Sequence, residues 1–269
     1  MITFADIESM VKTGGVSAAG AVEFCKLKPL MSERNKQRLL SKIEDPKSVI
    51  ALLFPYYADS KPGNISLYAR GVDYHIVLKD RLAQICAALT RRFFGNLFLP
   101  FADTSPINEV AAAVLSGAAL RGQNGLAICP KHGSYVFVGV IVTDLEIKCA
   151  GEERQCQGCG KCIAACPTGA LKHGGPERCL SHITQKKAAL SEFEKAAITA
   201  NKMVWGCDAC QRVCPHNSHP EPTQIDEFKQ NLIYNLSAKV IAAGGLQFRA
   251  FMWRGEGVLL RNLEELGER

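Results

Sequence analysis

Two uninterrupted apolar runs dominate the pattern of the chain, Ser48 to Tyr56 (SVIALLFPY) and Ser134 to Asp144 (SYVFVGVIVTD). Both are rich in β-branched residues and lack polar alternation, which predicts central strands covered on both faces. Between them Ile76, Leu82, Ile85, Leu89 and Phe93 recur at helical spacing. They predict an amphipathic helix over 72–94, with Arg91 and Arg92 at the end where the helix dipole favours cations. LFLPFAD (97–103) reads as a shorter strand, and Asn108 to Gly117 (NEVAAAVLSG) as an alanine-rich helix capped by Asn108. Asp103 then falls on a strand-to-helix turn. Such alternation predicts an α/β layer, and in open α/β sheets the strand ends form the ligand crevice.

The chain has 269 residues, and polar, proline-rich breaks near residues 150 and 220 divide it into three zones. These are an α/β domain over 1–150, a cysteine-rich domain over 151–220 and a short helical C-terminus over 221–269. No stretch reaches the roughly 18 uncharged apolar residues of a membrane span, and the start lacks the grammar of a secretion signal. The expectation is a cytoplasmic monomer with no membrane contact.

Twelve cysteines change this picture, because eight of them have cluster spacing. Cys156, Cys159, Cys162 and Cys166, followed by Pro167, match C-x2-C-x2-C-x3-C-P. Cys179, Cys207, Cys210 and Cys214, followed by Pro215, repeat the pattern with one ligand separated by an insertion. In two-cluster ferredoxins the fourth cysteine of such a run ligates the other cluster. One 4Fe-4S cluster is therefore assigned to Cys156, Cys159, Cys162 and Cys214, and the second to Cys166, Cys179, Cys207 and Cys210. Zinc ribbons also use CxxC pairs, but a zinc site has no need of duplicated C-x3-C-P endings. The formal charge of +6 counts thiols as neutral. Two clusters with thiolate ligands carry about −2 each and leave the protein near +2, so bulk charge argues little for nucleic acid.

The words around the cysteines are equally specific. ISLYARGVDYHIVL (65–78), FADTSP (101–106), HGSYVFVGVIVTDLEI (132–147) and WGCDACQRVCPHN (205–217) occur in that order. Together they resemble the epoxyqueuosine reductase family over residues 48 to 217. The resemblance implies an N-terminal α/β domain that binds cobalamin, a bacterial-ferredoxin-like two-cluster domain, and reduction of the epoxide of a tRNA wobble nucleoside to the alkene of queuosine. It implies reduced ferredoxin or flavodoxin as donor and tRNA as partner. It also makes Asp103 the proton donor to the opening epoxide, kept neutral by burial against the corrin edge. Tyr68, Arg70, Asp73, Tyr74 and His75 on the ARGVDYH word, with Thr104 and Ser134, become the expected cofactor contacts.

Two words depart from the family pattern. Glu109 is followed by Val110 rather than a basic residue, and AALRGQN (118–124) stands where the family has a word close to GLGWIGKN. GVLLRNLEELG (257–267) resembles the point where longer members begin a helical-repeat domain that holds tRNA. Two other readings stay open at this level: a cobalamin-dependent reductase of another small electrophile, and a ferredoxin-type carrier or corrinoid activator.

Overall fold

The structure is a computed structural model that describes residues 2–149 and 151–268. The expected zone boundary at residue 150 itself lies outside the described residues. The chain forms two compact units that differ from the three sequence zones: Met1–Pro55 with His75–Gly158, and Tyr56–Tyr74 with Cys159–Arg269. The segment between the first long strand and the long helix thus belongs with the cysteine-rich part.

In the first unit the main elements are β1 (Ala18–Glu23), β2 (Ser48–Pro55), α1 (Tyr74–Arg92), β3 (Phe98–Ala102), α2 (Glu109–Leu115) and β4 (Val136–Thr143). The strands form a four-stranded sheet in the order β1-β2-β4-β3. Every pairing is antiparallel, with Ala18 opposite Leu53, Pro55 opposite Val136 and Ala102 opposite Gly139. The mixed α/β class is as expected, and the sheet that forms is antiparallel. The crevice rule of parallel sheets therefore does not locate the site here. What gathers the ends of β2 and β3 with the start of β4 is the antiparallel register.

All eight residues of β2 are buried, which is why its sequence shows no polar alternation. Val49, Ala51 and Leu53 join Val140 and Val142 beneath Ala111, Ala112 and Ala113 of α2. On the other face α1 brings Leu82 to Gly139, where an added Cβ would lie 3.0 Å from a Leu82 methyl and 3.2 Å from the Phe54 ring. The apolar stripe of α1 is Leu78, Leu82, Ile85 and Leu89. Ile76, expected on that stripe, is 46% exposed. β1 was not foreseen, since AAGAVE has weak strand propensity. Gly20 lets it approach the end of α2 closely, for a Cβ there would sit 2.4 Å from the Ser116 carbonyl oxygen.

Among the described residues the second unit has no large sheet. Its cysteine-bearing part is built of single turns, among them α3 (Lys161–Ala164) and α6 (Ala209–Arg212), with α4 (Leu180–Gln185) and α5 (Glu192–Asn201) between them. An apolar cluster of Ile65, Val204, Trp205, Leu236, Phe251, Leu259 and Leu263 joins residues of the 56–74 segment to α7 (Glu256–Glu265).

Candidate functional site

β3 ends at Ala102, and the next residue turns the chain sharply. Asp103 has φ +60°, and the Thr104 N–H donates to the Ala102 carbonyl at 2.7 Å. An i→i+2 turn with a positive φ at its centre is a rare, strained arrangement, and aspartate is among the side chains that tolerate it. The turn continues through Ser105, whose Oγ accepts from the Ile107 N–H at 3.0 Å, to Asn108, whose Oδ1 caps α2 by accepting from the Ala111 N–H at 3.0 Å. The cap expected from sequence is therefore present.

The turn presents Asp103 to His75, at the start of α1. His75 Nε2 lies 3.1 Å from Asp103 Oδ2, with the two side chains 30% and 45% exposed. The burial expected to keep Asp103 neutral is not supplied by the chain itself. A neighbouring carboxyl is buried where Asp103 is not. Burial, and next the charge of Asp103, push Glu109 up to about 8, while a hydrogen bond from the Asp103 main-chain N–H and the nearby His75 oppose the shift. One oxygen of Glu109, Oε1, is buried without a hydrogen-bond partner. Glu109 was not singled out as a site residue from sequence. Its signal was its place six residues after Asp103, at the first position of α2.

Of the other expected contacts in this unit, Thr104 is exposed beside Asp103, and Ser134 is buried just before β4. In the second unit the ARGVDYH residues do several jobs. Tyr68 accepts hydrogen bonds from Trp205 Nε1 at 2.8 Å and Gln185 Nε2 at 3.3 Å, and its ring meets Tyr74 edge-on. The Asp73 N–H donates to the Phe248 carbonyl at 2.7 Å. Arg70 turns inward: it is 2% exposed, donates to the carbonyls of Ile65 and Lys61 at 3.0 and 2.7 Å, and lies over the Tyr234 ring. Two of its guanidinium nitrogens are taken up by the chain's own carbonyls, which braces this segment, while Nη2 is buried without a hydrogen-bond partner.

All eight pattern cysteines are free thiols. Cys162 is buried on α3 and Cys210 lies on α6. The surroundings of Cys156 and Cys166 suit thiolate ligands. The Gln123 N–H donates to Cys156 Sγ at 3.3 Å, and the Cys156 N–H donates to the Arg121 carbonyl at 3.0 Å. The departing word AALRGQN thus serves through its main chain, which a change of side chain leaves intact. Cys166 is partly desolvated, yet main-chain N–H groups of Leu171, Thr168 and Ala170 and the Thr168 hydroxyl hold its thiol below the usual range. Cys207 lies near enough to Asp208, Cys210 and Cys179 to feel their charges, though burial is the main reason its thiol is pushed up to about 12. Among the described residues the thiols are not drawn together into a ready-made metal-holding group. The two C-x3-C-P endings fold alike, with the Cys166 carbonyl accepting from the Gly169 N–H at 3.1 Å and the Cys214 carbonyl from the Asn217 N–H at 2.8 Å. A donor set of thiols wrapped by N–H groups fits iron–sulfur clusters.

Asp208, inside the GCDAC word, accepts from the Ser66 hydroxyl and from the Leu67 N–H at 3.0 Å. It fastens the ISLYARG word to the cluster loops. Cys86 and Cys149 are pushed up to about 12 and about 11 by burial, which makes them inert thiols outside the pattern.

Comparison with known proteins places these features. Residues 37–104 match a family described as "Epoxyqueuosine reductase QueG, DUF1730", and residues 155–217 match a "4Fe-4S double cluster binding domain". An epoxyqueuosine reductase of Bacillus cereus is 30% identical over 301 residues, covering 96% of this chain and 78% of that protein. The chain belongs to the epoxyqueuosine reductase family. A Listeria monocytogenes epoxyqueuosine reductase is 34% identical over 259 residues, covering 87% of this chain, and the match spans 66% of that relative's length. Among solved structures, an epoxyqueuosine reductase from Streptococcus thermophilus superposes with a TM-score of 0.78 at 26% identity, covering 98% of this chain and 82% of that one. An epoxyqueuosine reductase crystallised with an epoxyqueuosine-modified tRNA-Tyr stem loop shares the fold at a TM-score of 0.80 and 22% identity, covering 97% and 80% of the two chains. The chain thus carries the family's double 4Fe-4S domain. Among the described residues no helix is long and apolar enough to cross a membrane.

Proposed function

We propose that this chain is an oxidoreductase that reduces epoxyqueuosine to queuosine in tRNA, using two 4Fe-4S clusters and cobalamin. The observation that carries the reading is the coincidence of two features in one member of the family. Eight thiols have double-cluster spacing, and a strained turn presents Asp103 to His75 at the exposed end of the sheet. Removing the epoxide oxygen breaks two carbon–oxygen bonds, forms an alkene and water, and consumes two electrons and two protons. The clusters pass electrons singly from reduced ferredoxin or flavodoxin. Cobalamin, when bound, supplies one reactive metal centre where two single-electron deliveries are combined.

The sheet end suits such a cofactor, because Asp103 and Thr104 are exposed there and carry polar groups able to meet its amide rim. Thr104 and Ser134 are our candidates to hold it. Asp103 gives a proton to the departing oxygen, and His75 fixes the carboxyl's direction. A tRNA substrate and reduced clusters suit a cytoplasmic reaction.

The test is anaerobic incubation of protein reconstituted with iron, sulfide and cobalamin with epoxyqueuosine-containing tRNA and reduced flavodoxin. The expected result is queuosine among the digested nucleosides. Protein with both chromophores loaded that forms no queuosine overturns the reading.

A further inference from the structure

Resting on the proposed reaction, we infer that Glu109 is the second acid of this site, storing a proton that Asp103 passes to the departing oxygen. The balance of the reaction demands such a store. The oxygen leaves as water and takes up two protons, both electrons coming from the one-electron donor through the clusters. A single carboxyl in place carries one proton. It must be recharged before the second is delivered, either from solvent or from a neighbouring acid.

The geometry supplies the neighbour. The Asp103 N–H donates to the Glu109 carboxyl, so the two side chains belong to one turn, and His75 Nε2 closes the row at 3.1 Å from Asp103 Oδ2. The charge of Asp103 adds to the cost of ionising Glu109, and of two carboxyls that feel each other's charge one keeps its proton more readily. Burial decides which. Asp103 is 45% exposed, whereas Glu109 has an oxygen sealed from water with no partner. An ionised carboxylate left so would cost far more than a neutral acid. Glu109 consequently holds the first proton up to about pH 8, and Asp103, exposed beside His75, relays it to the oxygen and then takes up the second from solvent.

A glutamate in the first turn of a helix is often only a complement to the dipole. That role calls for a charged, solvated side chain with a lowered pKa. Glu109 has the opposite shift. The titratable groups acting on it are Asp103 and His75. The strand faces packed under α2 are apolar.

The experiment compares wild type with Glu109→Gln and Glu109→Asp as cluster- and cobalamin-loaded protein. The first readout is the apparent Tm against pH, which needs no turnover. A carboxyl whose pKa rises from 4.5 unfolded to about 8 folded stabilises the fold below pH 4.5, and that stability is lost as pH climbs through 8. Glu109→Gln lacks this loss, so its Tm should gain steadily on wild type across that window. The second readout is the pH profile of queuosine formation. Wild type should fall off above about pH 8. Glu109→Gln should be about 10²-fold slower at neutral pH with that limb abolished, and Glu109→Asp should recover at least about tenfold of the loss. Spectra of both cofactors should be unchanged. Parallel Tm curves, or a glutamine variant within about twofold of wild type with the same alkaline limb, overturn the inference. If wild type forms no queuosine, the functional reading fails on its own, and the Tm comparison still decides whether Glu109 is the group that holds a proton.

Discussion

The sheet unit and the cysteine-bearing loops are held together by different means. In the first, eight-residue strands and a 19-residue helix bury their own apolar faces, and β2 is covered on both sides. In the second, the ligands sit on or beside single helical turns, such as Lys161–Ala164, Ala170–His173 and Ala209–Arg212. The aliphatic cluster among them reduces to Leu180, Ile183, Leu190 and Ile198. A four-residue helix has barely passed the costly nucleation step and does not persist by itself. The difference teaches that the sheet is stable through apolar burial, whereas the loops need metal–thiolate bonds to fix their shape.

The largest effect that could break this comparison is removal of iron. Metal ligation can contribute on the order of 10 kcal/mol to a small domain that has little core of its own. Hydrogen-exchange protection should collapse over 159–217 in chelated protein or in Cys162→Ala, and should persist in β2 and β4. Equal loss in both regions would show that the sheet also depends on the clusters. Unchanged protection in the loops would show that they do not.

Next in size is Asp103→Asn. A positioned acid contributes about 10²- to 10⁴-fold, or about 3 to 5 kcal/mol of transition-state stabilisation. Asparagine also accepts the left-handed conformation of the turn, so cofactor and cluster occupancy should stay at wild-type levels while turnover falls. A rate near wild type with full occupancy would make Asp103 a turn former and nothing more.

This contrast also explains what was legible in the sequence. The two long strands, the long helix, the Asn108 cap and the double-cluster domain were readable because each leaves a periodic or spaced signature. β1 was not, because a strand of alanine and glycine owes its state to pairing with β2 and to the close fit of Gly20 on Ser116. The antiparallel direction of the sheet leaves no mark in the composition of β2 or β4. Glu109 was passed over because a charged residue reads as surface, whereas the turn after β3 draws this one inward. The family word is changed at 118–124, yet Gln123 there contributes a main-chain N–H that sequence comparison cannot see.

A smaller effect sharpens the claim that the sheet unit is governed by packing. Gly139→Ala places a methyl 3.0 and 3.1 Å from the two methyls of Leu82. Overpacking of this kind costs about 1 to 3 kcal/mol. The loss should be the same with clusters present or removed, as read from the sheet's far-ultraviolet unfolding transition. Adding Leu82→Ala to Gly139→Ala should cost less than the two single losses added together, because the clash disappears with the side chain. Strict additivity would mean that the two positions do not share a contact.

The smallest effect expected is at Asn108, where stability and the site meet. Its Oδ1 accepts from the Ala111 N–H at 3.0 Å and so satisfies one of the unpaired donors of the first turn of α2. Replacing such a cap with alanine costs about 1 kcal/mol, and serine restores most of it because its hydroxyl can accept the same bond. Asn108→Ala should therefore lower the stability of the sheet unit by about that amount, and Asn108→Ser should nearly match wild type. The same helix start carries Glu109, so a frayed first turn gives water access to the buried carboxyl. Its pKa should then drop from about 8 toward the ordinary 4.5. Stability of Asn108→Ala should vary less with pH between 4.5 and 8 than that of wild type, since less of the raised pKa remains to be lost. Serine should bring the wild-type slope back along with the cap. An alanine variant that loses stability yet keeps the full wild-type slope would show that the cap supports the helix without shielding Glu109, and that the apolar floor beneath α2 does the shielding alone.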